Sequence, residues 1–247
     1  MKLKRYFTLL MLIPMIMNAQ NFETDVLKSK KRNGSEIKIT FIKHGSLLFE
    51  YKNQTIYVDA ASEFCDYSKM PKADFLIYTH QHSDHFDTTA VNDLLKPNTK
   101  IVANQEIVDI LNKGVAMKYG DDISLSSDIG VKALPAYNTT KSHLAFHPKG
   151  MGNGYLLTID GTKIYISGDT EYIKEMKDLK GKTDVAFLAI NQPYTMTVEQ
   201  AVKAVEAIMP KIFYPYHYGQ TDEPTDIKTL ESELENLDAE VRIRQLQ

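Results

Sequence analysis

The pattern of apolar and polar positions in residues 36–59 is that of β-strands. Residues 36–41 read Glu-Ile-Lys-Ile-Thr-Phe and alternate with period two. The pattern continues in residues 46–51 and 55–59, with Lys52-Asn53-Gln54 as a hairpin turn between them. Residues 75–78 are an unbroken apolar run, which is typical of a strand buried on both faces. The first third of the chain is therefore predicted to form a sheet.

The remainder of the chain mixes predicted strands with predicted helices. Helices are expected at Thr88–Leu95, Gln105–Asn112, Thr197–Ile208 and Ile227–Leu237, from apolar residues at helical spacing and their stop signals. Strands are expected at residues 100–103, 122–126, 131–135, 154–159, 163–167, 184–190, 212–214 and 240–243. No repeat of 20 to 50 residues is evident. This order predicts two mixed sheets packed together, with helices outside, in one domain over residues 36–247.

The N-terminus has the layout of a secretory signal peptide. A basic start precedes an apolar run, Tyr6–Met17, and a small, polar close at residues 18–20. The run is short for a membrane helix, which needs about 20 apolar residues. We therefore expect a cleaved signal peptide over residues 1–20 and an exported protein, periplasmic or secreted, without a stable membrane anchor. An uncleaved N-terminal anchor is the alternative. Residues 21–35 are expected to be a flexible segment leading into the domain.

Composition limits the classes of function. With 43% hydrophobic residues in 247, the chain can bury a core, and a formal net charge of −3 gives no sign of a nucleic-acid surface. The partner we expect is a small-molecule substrate. Cys65 is the only cysteine and cannot form an internal disulfide, so it is interpreted as a small packed side chain.

The strongest chemical signal is the segment His80-Gln81-His82-Ser83-Asp84-His85, directly after the apolar run 75–78. Three imidazoles and a carboxylate within six positions suit zinc, manganese or iron. A loop that leaves a strand can aim these side chains at one place, whereas a rigid strand cannot. A histidine-rich surface loop is the alternative explanation.

At this point the sequence resembles the metallo-β-lactamase superfamily. Four segments carry the resemblance: Thr79–His85, Asp59 at the end of a strand, Ser167-Gly168-Asp169-Thr170, and Tyr216-His217-Tyr218-Gly219. Residues 41–46 are similar to the lactonase-like branch, which includes uncharacterised metal-dependent hydrolases. The resemblance implies an α+β fold, a four-layer αββα sandwich of two mixed β-sheets with helices on the outer faces. It also implies a two-metal site in which Asp169 bridges the ions. The metal ligands implied are His80, His82, Asp84, His85, Asp169 and His217.

One expected ligand is missing. The superfamily supplies a third histidine to the first metal after the strand that here ends at Pro135, but this sequence has Ala136-Tyr137-Asn138. His143 or His147 could replace it, and His147 is preferred because Phe146 and Pro148 flank it. Water could complete the site instead, with His80, His82 and Asp169 as the protein ligands. Both histidines could also be ordinary loop residues.

The function implied is metal-dependent hydrolysis of an ester, lactone, amide or phosphoester. Two divalent ions, Zn²⁺ by preference and Mn²⁺ or Fe²⁺ as alternatives, lower the pKa of water from 15.7 towards about 7. Asp84, Asp169 and His44 are the candidate catalytic residues. Tyr194, Tyr218 and Lys149 are candidates for substrate contact.

Two other functions stay open at this stage. One is a mononuclear iron enzyme that oxidises a thiol or persulfide, although the ligand count after Pro135 does not match three histidines. The other is a non-enzymatic metal-binding or ligand-binding module with a degenerate site. The missing histidine favours a degenerate site. Four of the implied ligands are retained, however, which argues against degeneration: Asp84, His85, Asp169 and His217.

Overall fold

The computed structural model describes residues 21–31, 34–219, 221 and 224–246. The predicted signal peptide, residues 1–20, lies outside the described residues. The described residues form two mixed β-sheets of seven strands each. This confirms the predicted α+β sandwich.

The first sheet is formed by the N-terminal half of the chain, and its strands lie side by side in chain order. The strands are β1 (Glu23–Lys28), β2 (Glu36–Lys43), β3 (Ser46–Tyr51), β4 (Gln54–Val58), β5 (Phe75–Ile77), β6 (Lys100–Ala103) and β7 (Val115–Ala116). Strands β1 to β4 pair antiparallel, and β4 to β7 pair parallel.

The second sheet repeats this plan in the C-terminal half. Its strands are β8 (Asp122–Ser124), β9 (Ile129–Ala136), β10 (Gly152–Ile159), β11 (Thr162–Ile166), β12 (Val185–Ala189), β13 (Ile212–Tyr216) and β14 (Glu240–Val241). Strands β8 to β11 pair antiparallel and β11 to β14 pair parallel. Asp160 and Gly161 make the predicted hairpin turn, and both have positive φ, as such turns require.

In the part of the chain that the structure describes, four α-helices cover the outer faces of the two sheets. They are α1 (Thr88–Leu94), α2 (Gln105–Leu111), α3 (Val198–Ile208) and α4 (Ile227–Leu234). One apolar cluster lies between the sheets, a second packs the first sheet against α1 and α2, and a third packs the second sheet against α3 and α4. The layer order is therefore α, β, β, α.

Each helix begins where a side-chain oxygen caps its first turn. Asp87, Asn104, Thr197 and Asp226 accept hydrogen bonds from main-chain N–H groups three residues later. Helix α3 is therefore one residue shorter than the predicted Thr197–Ile208. None of the helices within the described residues has the length and apolarity of a membrane span.

The prediction of a flexible segment over residues 21–35 is wrong for residues 23–28, which form strand β1. This strand pairs with β2 in full register, from Glu23 opposite Phe41 to Lys28 opposite Glu36. The reason is that β1 is an edge strand, held by main-chain pairing with β2 and by polar contacts such as those that Asp25 accepts from Tyr214 and Arg244. Leu27 is its only buried residue, so the strand lacks an apolar pattern.

Candidate metal centre

The candidate site lies at the carboxyl ends of the parallel strands of both sheets. Asp59 follows β4 and the His80–His85 segment follows β5 in the first sheet, while Asp169 follows β11 and His217 follows β13 in the second. The carboxyl ends of parallel strands are the usual place for ligand sites in open sheets. Here the two sheets bring both sets of ends together.

One group of donor atoms consists of His80, His82 and His147. The Nε2 of His80 lies 3.1 Å from the Nδ1 of His82. The Nε2 of His147 lies 3.2 Å from the Oδ2 of Asp169. The loop between β9 and β10 thus brings His147, not His143, to the position where the expected third histidine is absent.

A second group consists of Asp84, His85 and His217, with His44 beside them. The Nε2 atoms of His85 and His217 are 2.8 Å apart. The Nε2 of His217 lies 3.4 Å from the Oδ2 of Asp84, which is also 3.2 Å from the Nε2 of His44. These atoms form a compact cluster, in which the ring of His44 packs against that of His217 with centroids 3.7 Å apart.

Asp169 lies between the two groups and offers one oxygen to each. Its Oδ2 faces His147, at 3.2 Å, and its Oδ1 faces the Nε2 atoms of His85 and His217 at 3.3 and 3.4 Å. The Oδ1 is buried and has no hydrogen-bond partner among the described residues. A buried, unpaired carboxylate oxygen is costly unless a cation neutralises it.

The donor set fits divalent metal ions. Tetrahedral zinc with bonds of about 2.0–2.1 Å to its ligands places two donor atoms about 3.3 Å apart. Most of the contacts above are close to that value. The two close nitrogen pairs, His80 with His82 and His85 with His217, also favour a bound cation. Two imidazole nitrogens that face each other need a shared proton or a shared cation.

Outer hydrogen bonds leave one ring nitrogen of three histidines free to face the centre. The Nδ1 of His85 donates to Asp59 at 2.9 Å, the Nδ1 of His80 is 2.9 Å from the Thr79 hydroxyl, and the Nδ1 of His147 donates to the carbonyl oxygen of Tyr194 at 3.2 Å. Such outer partners set the tautomer and orientation of metal-binding imidazoles.

The main chain lies close to the donor side chains of the second group and adopts uncommon conformations there. His44, Asp59 and His217 all have left-handed φ angles, 53°, 48° and 54°. Such angles are uncommon for residues other than glycine and cluster at functional sites. Gly45 lies so close to the centre that a Cβ there would be 2.9 Å from the Cε1 of His85.

Burial and neighbouring charges set the protonation of the cluster. Burial, reinforced by the charge of His85, holds the pKa of His80 well below its usual value. Burial and His217 lower the pKa of His44 to about 4. Burial opposes ionisation of Asp169, but His217 and His85 outweigh it and hold its pKa well below the usual range. Burial lowers the pKa of His85, but Asp169 and Asp59 outweigh it and raise that pKa well above its usual value. His80 and His44 are therefore neutral and Asp169 is ionised, the forms that bind metal, whereas His85 has to lose a proton when a metal binds.

The residues predicted to contact substrate, and His143, differ in whether they line the cleft above the centre. Tyr194 lines the cleft above the centre. Tyr218 is buried, and its hydroxyl donates to the carbonyl oxygen of Arg244. Lys149 pairs with Glu175, and His143 with Glu171. Neither Lys149 nor His143 is among the residues that line the cleft.

Sequence reasoning missed part of the cleft wall. The cleft has a volume of about 340 Å³, and Phe64, Phe146 and Asn191 line it together with the metal-site residues. Phe64 and Asn191 stand alone in their segments with no motif around them, so no sequence signal singled them out. The sequence indicates Phe146 only as a neighbour of His147.

Comparison with known proteins agrees with this geometry. Residues 38–217 match the family described as the β-lactamase superfamily domain. A UPF0173 metal-dependent hydrolase from Nanoarchaeum equitans is 32% identical over 191 residues, covering 74% of this chain and 84% of that protein.

Two solved structures are also similar. A protein from Parabacteroides distasonis, described as a metal-dependent hydrolase, is 49% identical with a TM-score of 0.87, covering 92% of this chain and all of that one. A metallo hydrolase from Ignicoccus hospitalis is 26% identical with a TM-score of 0.71, covering 85% and 95%.

These relatives correct the expectation of export. The prediction of a signal peptide and a periplasmic or secreted protein is wrong on this comparison, because relatives matching about three quarters of the chain are archaeal proteins that give it no support. A basic and apolar N-terminus was weak evidence for export by itself.

Proposed function

Because the chain belongs to the β-lactamase superfamily, and within it to the UPF0173 metal-dependent hydrolases, we propose that it binds two divalent metal ions and uses a metal-activated water to cleave a small-molecule ester, lactone, amide or phosphoester. The observation that carries this proposal is Asp169, whose two carboxylate oxygens face two separate histidine groups. A shared anion between two cations offsets their mutual repulsion.

The ligands fall into two sets. His80, His82 and His147 would hold the first ion together with Asp169. Asp84, His85 and His217 would hold the second ion, again with Asp169. Mixed imidazole and carboxylate donors suit zinc, with manganese and iron as the alternatives.

The bound ions supply a water of lowered pKa and polarise the bond to be cleaved. Asp84 is the best-placed proton acceptor, because its side chain is about one-third exposed and faces the cleft. His44 is a positioning residue, since its pKa of about 4 keeps it neutral at pH 7 and its Nε2 can donate to Asp84. Asp169, almost fully buried, holds the two halves of the site together.

Metal analysis of the purified protein tests the proposal. We expect about two equivalents of zinc, manganese or iron per chain, and less than one equivalent after growth with these metals would contradict it. His147→Ala should lose about one equivalent. His143→Ala is the matched control from the same loop and should keep both, because His143 pairs with Glu171 outside the cluster.

Activity tests the hydrolytic step separately. A panel of esters, lactones, amides and phosphodiesters should contain at least one substrate that the metal-loaded protein hydrolyses. The double variant His82→Ala, Asp84→Ala removes one ligand from each half and should abolish that hydrolysis. Retained activity in the double variant would exclude this site as its source.

One observation favours the redox alternative. A mononuclear iron site of this kind needs three histidines, and His147 lies beside His80 and His82, with ring centroids 5.3 and 5.1 Å away. Metal identity separates the two functions. One iron per chain with oxygen consumption on a thiol substrate would favour oxidation, whereas two zinc ions without it favour hydrolysis.

A further inference from the structure

Glu171 is a buried carboxylate that lies outside both groups of donor atoms. It is 1% exposed and follows Asp169 by two residues. The groups of potential metal ligands among the described residues do not include it. A carboxylate is costly to bury unless hydrogen bonds or an ion pair replace the lost water, so the partners of Glu171 indicate what it does.

Four hydrogen bonds to Glu171 come from one short stretch of the loop between β9 and β10. Its Oε2 accepts from the N–H and the hydroxyl of Thr139, both at 2.8 Å, and from the N–H of Thr140 at 2.7 Å. Its Oε1 lies 3.1 Å from the Nδ1 of His143. Two of the four donors are main-chain groups, so Glu171 fixes the path of the chain itself. Hydrogen bonds to an ionised carboxylate are also about twice as strong as those between neutral groups.

The loop depends on such an anchor because it has no regular structure of its own. Residues 137–151 are all described, and they form turns rather than a helix or a strand. A loop of this kind keeps one conformation only where other parts of the chain hold it. His147 lies in the second half of the loop, so its position depends on the contacts that hold the first half.

A short path of hydrogen bonds joins the anchored stretch to His147. The N–H of Phe146 donates to the carbonyl oxygen of His143 at 3.1 Å, and the N–H of Asn138 donates to the carbonyl oxygen of His147 at 2.9 Å. The side-chain amide of Asn138 donates to the carbonyl oxygens of His143 and Tyr194. The anchored stretch is therefore linked to the residue before His147 and to His147 itself.

We propose that Glu171 is a positioning residue for metal binding, because it holds the loop between β9 and β10 in the conformation that presents His147 to the first group of donor atoms. One segment then acts twice: Asp169 faces the Nε2 of His147 at 3.2 Å, and Glu171 fixes the loop that carries this histidine. The loop thereby supplies the histidine that is absent after Pro135. The inference rests on the proposed function and deepens it, since it names a residue on which binding of the first ion depends although it is not a ligand.

The metal affinity of Glu171→Ala tests this role. Zinc titration against a competing chelator gives a dissociation constant for each ion in the wild type, and His217→Ala, which removes a ligand of the second ion, identifies which constant belongs to which ion. Glu171→Ala should weaken the first ion by about 10-fold to 100-fold, as loss of a group that orients a metal ligand does, and leave the second within about threefold. Equal weakening of both ions, or of neither, would overturn the inference.

A double-mutant cycle shows whether Glu171 acts through His147. Zinc binding is compared in Glu171→Ala, His147→Ala and the double variant, at raised zinc concentration so that the weakened first ion is still measured. If Glu171 acts by positioning His147, its replacement has no further effect once that imidazole is gone. A further loss as large as in the wild-type background would mean that Glu171 acts through the fold in general, and the inference would be wrong.

Two conservative variants separate the reach of the side chain from its charge. Glu171→Gln keeps an oxygen for Thr139 and Thr140 and has an NH₂ group that can donate to His143, so it should keep the first ion within about fivefold of the wild type. Glu171→Asp keeps the charge but is one methylene shorter, so it should weaken that ion by about tenfold or more. The opposite order would show that only the negative charge matters and would overturn the positioning role.

Glu175→Ala is the matched control from the same segment. Glu175 accepts from the hydroxyl of Tyr137 and the Nζ of Lys149, which are side-chain groups, and not from the main chain of the anchored stretch. This variant should bind both ions normally. A loss of the first ion as large as in Glu171→Ala would mean that any change beside the loop weakens the site, and would contradict the assignment to Glu171.

Hydrogen exchange tests the anchor without metal. In metal-free protein, Glu171→Ala should speed exchange of the main-chain N–H groups of residues 139–147 by at least about tenfold and leave those of β9 and β10 unchanged. Unchanged exchange in the loop would overturn the inference. Wild-type protein that binds less than one equivalent of metal, together with faster loop exchange in Glu171→Ala, would contradict the proposed function and support the anchoring of the loop by Glu171.

Discussion

The main-chain N–H of His44 donates to the main-chain carbonyl oxygen of Leu246 at 2.7 Å. The carbonyl oxygen of His44 in turn accepts from the N–H of His217 at 3.1 Å. One chain of hydrogen bonds thus joins a turn of the first sheet, the end of β13 and the C-terminal segment, beside the second group of donor atoms. His44 and His217 both have left-handed φ angles, so this hydrogen-bond chain holds two residues in uncommon conformations.

Leu246→Ala should destabilise the protein by about 2–5 kcal/mol, the usual cost of truncating a buried leucine. Leu246 is fully buried and belongs to the cluster between the two sheets. Urea unfolding measures the change. Gln245→Ala, at an exposed neighbour, should shift the free energy of unfolding by less than about 0.5 kcal/mol. Equal effects of the two changes would show that the segment does not anchor the core.

The fold was predictable where burial produces a regular pattern of apolar residues. The sequence predicts a strand at residues 184–190 and a helix at Thr197–Ile208, and both elements form, because β12 is buried at all five positions and α3 buries one face. Strand β1 was missed because an edge strand depends on its partner's main chain. Strand β7, with two residues and no buried one, gave no pattern.

The family was confirmed, because its motifs are short and local in sequence. The position of the missing histidine was harder to predict, since it depends on how the loop between β9 and β10 folds back. Asn138 anchors that loop by donating to the carbonyl oxygens of His143 and Tyr194. Glu171 could not be found from sequence, because its hydrogen bonds to that loop form only in the folded chain. The metal-binding roles of all these residues stay predictions.

Gly45→Ala should weaken metal binding more than folding. The added Cβ would lie 2.9 Å from the Cε1 of His85 and 3.4 Å from the Cδ2 of His217, so the rings must move. We expect loss of metal from the second group and a fall in stability of about 1–3 kcal/mol from overpacking. Metal analysis with a competing chelator measures the first effect. Gly130→Ala, where the nearest atom is 3.5 Å away, is the matched control and should bind metal normally.

Asp59→Asn should lower metal affinity by about 10-fold to 100-fold, the usual effect of losing a carboxylate behind a metal-binding imidazole. The carboxylate of Asp59 accepts from the N–H and hydroxyl of Thr79, both at 2.7 Å, and from the Nδ1 of His85 at 2.9 Å. Chelator titration gives the affinity. Asp122→Asn, at an exposed carboxylate, should leave it unchanged. Wild-type affinity in Asp59→Asn would mean that the carboxylate does not orient His85.

Glu171→Gln should remove part of the acid sensitivity of folding. Burial opposes ionisation of Glu171, but hydrogen bonds from Thr139 and Thr140 lower its pKa from 4.5 to about 2. A carboxyl group with a depressed folded-state pKa contributes stability above its unfolded pKa, and this contribution is lost as the pH falls from about 4.5 to 2. The wild type should therefore lose stability across that window more steeply than Glu171→Gln does. Urea unfolding of metal-free protein at several pH values measures the two slopes, with Glu199→Gln, at an exposed i, i+4 pair, as the control. Identical slopes in wild type and Glu171→Gln would contradict the assignment.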